Sequence, residues 1–106
     1  MLMSQEGDLV TLINVFETKP EQQQELIDQW LGFFEQIKEM PPGLIGAALH
    51  RSTDGTRVIN YAQWRSEADF GHFTKNYLRP NEQSQVASRV DPHLYEVVYH
   101  YERAGD

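Results

Sequence analysis

The chain has 106 residues, 40% of them hydrophobic, 11% aromatic and 24% charged, which fits one packed domain and excludes a disordered segment or a separate cofactor-binding domain. Sixteen acidic against nine basic side chains leave a formal charge of −7, which repels polyanions, so nucleic acid and anionic membrane surfaces drop out as partners. There is no cysteine, which excludes a disulfide framework, thiolate metal ligation and cysteine nucleophiles.

Met1 to Asp8 lacks a basic start followed by an apolar run, and no stretch approaches the ~20 apolar residues that span a bilayer. The expectation is a cytoplasmic protein with a single domain over 1–106 and a flexible stretch at 1–8.

Leu9 to Glu17 (LVTLINVFE) carries apolar side chains at odd and even positions, the pattern of a strand covered on both faces, with Asn14 polar in its middle. Thr18-Lys19-Pro20-Glu21 has the form of a capping box with Pro early in the first turn, and predicts a helix start. Leu26, Ile27, Trp30, Leu31, Phe33, Phe34, Ile37 and Met40 recur at spacings of three and four, a broad stripe on a helix of about five turns. Pro41-Pro42-Gly43 stops it. Leu44 to Ser52 and Arg57 to Arg65 are extended runs around Thr53-Asp54-Gly55-Thr56, and Asp-Gly between such runs signals a hairpin.

Ser66-Glu67-Ala68-Asp69 predicts a second helix start, followed by Phe70, Phe73 and Tyr77 on one face. Arg79-Pro80 breaks or bends that helix, and Asn81 to Val90 is expected to resume as a helical segment closed by Asp91-Pro92. Leu94 to Arg103 (LYEVVYHYER) alternates Tyr95, Val97, Tyr99 and Tyr101 against Glu96, Val98, His100 and Glu102, a period-two strand.

The order βαββαβ, without repeats or linkers, predicts an α+β, ferredoxin-like domain: one antiparallel sheet with both helices on one face. The other face would then expose the tyrosines of the last strand, and such a patch calls for a partner. Two sheets packed face to face across a two-fold axis would make a homodimer. The alternative is a monomer whose tyrosines half-cover a wet sheet.

Pro42-Gly43-Leu44-Ile45-Gly46, then Ser52-Thr53-Asp54-Gly55-Thr56, Asn60-Tyr61-Ala62-Gln63-Trp64 and Ser66-Glu67 occur in order and without gaps. In these motifs, which cover the central third of the chain, the sequence resembles the antibiotic biosynthesis monooxygenase family, in particular its members that oxidise anthrone-type aromatic polyketides. The resemblance implies a dimeric α+β barrel with a cavity between helices and sheet in each subunit, and oxygen chemistry without flavin, haem or metal. It also implies that Asn60 and Trp64 match the cavity-facing asparagine and tryptophan of the quinone-forming members. The sequence departs from that pattern at Phe70, where those members carry a tyrosine proposed to help proton transfer. Their second-helix arginine has no secure counterpart, although Arg79 and Arg89 lie nearby.

Triplet oxygen reacts slowly with closed-shell organics, so a protein without a cofactor can help only if the substrate gives up an electron. That points to electron-rich phenolic substrates, with the protein supplying orientation, carbanion stabilisation and water exclusion. On the third strand Val58, Asn60, Ala62 and Trp64 share one face. The Asn60 amide and the Trp64 indole N–H are candidate donors to an enolate, carbonyl or peroxide oxygen, and the competing reading is a satisfied amide and a core filler. Asn14 is a candidate second pocket amide or a structural hydrogen-bonder. Phe34, with Trp30, is a candidate to touch ligand from the first helix, and Phe70 can stack on a flat substrate. His72 reads as a base or as a surface residue. His50, His93 and His100 show no metal-ligand spacing, and no metal or cofactor is expected. A haem-binding relative using Asn14, and a dimeric binding protein without turnover, are the competing functions.

Overall fold

The computed structural model describes residues 9–77 and 87–104. The flexible stretch expected at 1–8, the break at Arg79-Pro80 and the helical segment expected at 81–86 lie outside them. The elements are β1 (Val10–Glu17), α1 (Gln23–Glu35, entered through a single 3-10 turn at Pro20–Gln22), β2 (Leu44–Arg51), β3 (Arg57–Trp64), α2 (Glu67–Asn76) and β4 (Arg89–Tyr95). The strands form one antiparallel sheet in the order β2-β3-β1-β4. This is the expected ferredoxin-like α+β architecture.

The Asp-Gly hairpin forms as its sequence predicts. Gly55 takes a φ of +82°, open to glycine at little cost, and Asp54 Oδ1 accepts from the Thr56 N–H, the Thr56 hydroxyl and the Ser52 hydroxyl. Those donors, the Thr56 side chain first, hold the Asp54 carboxyl down at about 2. A carboxyl depressed in the folded state contributes stability that is present above its unfolded value and lost as pH falls through the folded one. Unfolding free energy should therefore decline from about pH 4 towards pH 2, the unfolded Asp value being ~3.9, and Asp54→Asn should flatten that decline. Urea titrations at stepped pH measure both.

Three expected boundaries change, the first being the end of α1 at Glu35, short of the Ile37 and Met40 that the stripe included. No side chain caps α1, whose N-cap is Gln22, because the Thr18 N–H is taken by the Thr56 carbonyl at 2.9 Å, extending the β1–β3 ladder past the predicted capping box. Gln23 anchors the helix instead, its buried amide donating to the carbonyls of Ser52 (3.1 Å) and Arg57 (2.9 Å). The last strand begins at Arg89, five residues before the expected Leu94, so residues 89 and 90 are extended rather than helical and Asp91-Pro92 lies inside the strand. Val90 and Leu94 thereby meet Phe16 and Leu12 of β1 on the core side. Pro92, without an N–H, is tolerated because β4 is an edge. Residues 96–104 are not a strand, so of the four alternating residues only Tyr95 belongs to the sheet.

α2 starts as predicted, with the Ser66 hydroxyl accepting from the Asp69 N–H at 3.1 Å. Gly43 lets the chain enter β2 beneath it: φ is +88°, and a Cβ there would stand 2.5 Å from Asp69. Arg65 N–H donates to the Gly43 carbonyl at 2.7 Å, and the Arg65 guanidinium grips Asp69 with two bonds of 2.8 and 3.0 Å. Gly43→Ala should cost about 1–3 kcal/mol in a urea melt, from φ strain and collision together. Gly71→Ala, in open space on α2, should instead gain about 0.5–1 kcal/mol.

Candidate functional site

Residues paired across antiparallel strands share a face, so the surface beneath the helices can be read as rows. One row is Val90, Phe16, Val58 and Arg51; the next is Pro92, Asn14, Asn60 and Leu49; the third is Leu94, Leu12, Ala62 and Ala47; the last is Val10, Trp64 and Leu44. The first row packs with Leu26, Ile27 and Trp30 of α1 into one buried cluster. The third and fourth pack with Phe73 of α2 into another. The second row, holding both asparagines as direct partners, belongs to the buried core of neither cluster.

Asn60 and Phe34 line a cavity of about 430 Å³ between α1 and β2, with Leu31, Met40, Ile45 and Leu49 among its other walls. Its lining is almost wholly apolar, and Asn60 is the polar side chain in it. Asn14 lies directly across the ladder from Asn60, and its Oδ1 is shut off from solvent with no hydrogen-bond partner among the described residues. Leaving such an acceptor unpaired costs about 1–3 kcal/mol, so the position demands an explanation beyond packing.

Trp64 shares the Asn60 face, as the strand period requires, but it is 2% exposed and lies under α2, with Phe70 at 5.6 Å and Phe73 at 5.2 Å between ring centroids. It is not among the residues lining the Asn60 cavity, and Ala62, itself buried, stands between. Its indole N–H has no partner among the described residues. Phe70 is half-buried against the Trp64 ring rather than open to the cavity. His72 is exposed, its ring nitrogen 3.1 Å from the Asn76 amide on the next turn, and faces none of these groups. Trp30 belongs to the α1 core, holding Phe34 at 5.8 Å.

Leu49 and Ile45 are cavity residues that the sequence reading did not single out. The signal for Leu49 was present: pairing Ser52 with Arg57 around the Asp-Gly turn sets Leu49 opposite Asn60. Ile45 sits at a register shift between Leu44 and Gly46, which no turn rule foretells. Two other clefts, of about 510 Å³ at Phe33, Lys38, Asn76 and Tyr77 and about 540 Å³ at Val10, Glu67, Leu94 and Tyr95, hold none of the paired amides.

The family model for antibiotic biosynthesis monooxygenases matches residues 9–90, and the chain belongs to that family. Over 68 residues it is 50% identical to the tetracenomycin-F1 monooxygenase of Streptomyces glaucescens, a match that spans 64% of this chain and 61% of that protein. An Asn-to-Ala variant of SnoaB, a cofactor-independent oxygenase from Streptomyces nogalater, superposes with a TM-score of 0.64 at 17% identity over 92% of this chain and 100% of that one. The haem degrader MhuD of Mycobacterium tuberculosis, with two haems in its active site, does so with a TM-score of 0.66 at 23% identity over 88% and 99%. At these identities the two structures speak for the fold.

If the Asn14 amide is held unpaired for a ligand, removing it should help the empty protein. Asn14→Leu is expected to raise the unfolding free energy by about 1–2 kcal/mol in urea, since an apolar replacement deletes an unsatisfied buried group. A loss of stability would mean that the amide is already bonded.

Proposed function

We propose that the protein is a cofactor-independent monooxygenase that converts an anthrone-type aromatic polyketide to a quinone with molecular oxygen. The observation that carries this reading is the Asn60 amide in the wall of an otherwise apolar cavity between helix and sheet, with Asn14 directly across the ladder from it. The 50% identity over 68 residues to a tetracenomycin-F1 monooxygenase supports the monooxygenase part of this reading. The proposal extends to a homodimer joined through the sheet faces opposite the helices. No described helix is long and apolar enough to cross a membrane, and a cytoplasmic setting is part of the proposal.

A ring-bearing phenol fits flat between Phe34 and the strand face, its oxygen bonded to the Asn60 amide. Developing enolate charge is favoured by an amide N–H in a site with little competing water. The carbanion passes one electron to oxygen, the two radicals combine to a peroxide, and loss of water leaves a carbonyl. One methylene and one O2 give one C=O and one H2O, so the substrate supplies every electron. Trp64 lies outside the cavity, packed on Phe70 and Phe73 under α2, and acts as a positioning residue for the strand that carries Asn60. Phe70, unlike the tyrosine at this place in the anthrone-oxidising members, cannot move a proton, so proton transfer falls to solvent at the mouth of the cavity.

Oxygen uptake with dithranol as a model anthrone tests the reading. The wild type should exceed the spontaneous rate, and Asn60→Ala should lose about 10²–10³ of that excess, the usual cost of one oxyanion donor. Trp64→Ala should lose activity together with stability, whereas Trp64→Phe should separate the two. Uptake at background, with haem instead giving a sharp absorbance shift that Asn14→Leu abolishes, would replace this reading by haem binding.

A further inference from the structure

Sulfur is scarce in this chain. It has no cysteine, and of its three methionines Met40 is the one among the described residues. Met40 lines the Asn60 cavity beside Leu31 and Ile45, and it is 62% exposed against 45% and 50% for those two. Its side chain therefore meets both the cavity and solvent, at the mouth. The backbone holds it there: Pro41 follows it and is buried, and the Leu44 N–H donates to the Pro41 carbonyl at 3.2 Å, closing the turn into β2. A proline also confines the residue before it to extended backbone, so the Met40 main chain has little freedom to swing away.

Leucine and isoleucine make the rest of this apolar rim, and a thioether adds chemistry that they lack. It is a soft, polarisable nucleophile towards peroxide oxygen, and susceptibility to oxidation follows exposure. A cavity that forms a hydroperoxide from a carbanion and O2 makes that oxidant beside the sulfur in its own wall.

We propose that Met40 is a modification site: its thioether takes an oxygen atom from peroxide formed in the Asn60 cavity, and the sulfoxide turns the mouth polar and shuts out flat apolar ligands. This rests on the monooxygenase reading above. In the step the O–O bond breaks as the S–O bond forms, sulfur supplies the electron pair, and the terminal hydroxyl proton passes to the departing oxygen. The thioether is oxidised, the hydroperoxide is reduced, and the substrate leaves as an alcohol instead of a quinone. Methionine sulfoxide is reversible by dedicated reductases, so reduction reopens the mouth.

Two arms test this on the whole chain. In the first, protein turning over dithranol with catalase present is digested, and sulfoxide at Met40 and Met3 is quantified by mass spectrometry, beside protein treated with hydrogen peroxide alone. The Met40 to Met3 ratio should be several-fold higher under turnover, and Asn60→Ala should bring it down to the value in hydrogen peroxide. In the second, anthraquinone binding is titrated before and after hydrogen peroxide treatment. Treated wild type should bind about tenfold more weakly, the cost of a polar group left against an apolar ligand, and recover after methionine sulfoxide reductase, while Met40→Leu should bind alike before and after. Oxygen uptake above background with no rise in the ratio, or unchanged binding once Met40 is sulfoxide, overturns this inference and leaves the monooxygenase reading standing. Uptake at background, or no binding to the untreated protein, overturns both.

Discussion

Everything in this molecule is arranged around one polar row in an apolar face. Asn14 and Asn60 are direct partners on the two central strands, between the strand rows of the two buried clusters, which Phe33 of α1 bridges from above. Leu or Val at the two positions would join the clusters along the sheet face as well. The asparagines prevent that at a stability cost of about 1–3 kcal/mol for an unpaired acceptor. A cavity with one amide in its wall and a second across the ladder is what remains between the layers.

The flanking structure serves to keep that row in register. The hairpin is fixed by the Asp54 turn, which aligns Leu49 with Asn60, and Gln23 ties the start of α1 to the same hairpin. At the opposite end the Arg65–Asp69 pair and the close approach at Gly43 lock α2 to the entry of β2. Both ion-pair partners gain by it: the Asp69 carboxyl is lowered, chiefly by the Arg65 guanidinium, and Arg65 is raised by Asp69. The site thus sits on rigid strands, while Phe34 lines it from α1, packed in turn on Trp30 and Phe33. For oxygen chemistry driven by the substrate's own electrons, such a site needs only to orient a flat molecule, favour its anion and keep water out.

How much of this was legible depended on whether the information was local. The Asp-Gly turn, the Ser66 cap and the period-two face of Val58, Asn60, Ala62 and Trp64 are local, and each stands where the sequence puts it. The Thr18 capping box failed because its N–H was claimed by Thr56, far along the chain. The start of the last strand was misplaced by the turn signal at Asp91-Pro92, which an edge position overrides. Asn60 and Phe34 share a cavity because α1 crosses β2 and β3, and Trp64 leaves that wall because α2 covers it, two facts of packing that period alone cannot supply. The pairing of Asn14 with Asn60 needed the β1–β3 register, a non-local property of the sheet.

The most direct measurement is a two-dimensional amide NMR titration of the isotopically labelled protein with an anthraquinone, a stable stand-in for the quinone product, following side-chain as well as backbone NH groups. The account predicts saturable shifts at the Asn14 and Asn60 side-chain amides and at the backbone of Leu31, Phe34 and Leu49, with little change around Lys38 and Asn76. Saturable shifts confined to the cleft at Phe33, Lys38 and Tyr77, with both asparagine amides unmoved, would contradict it.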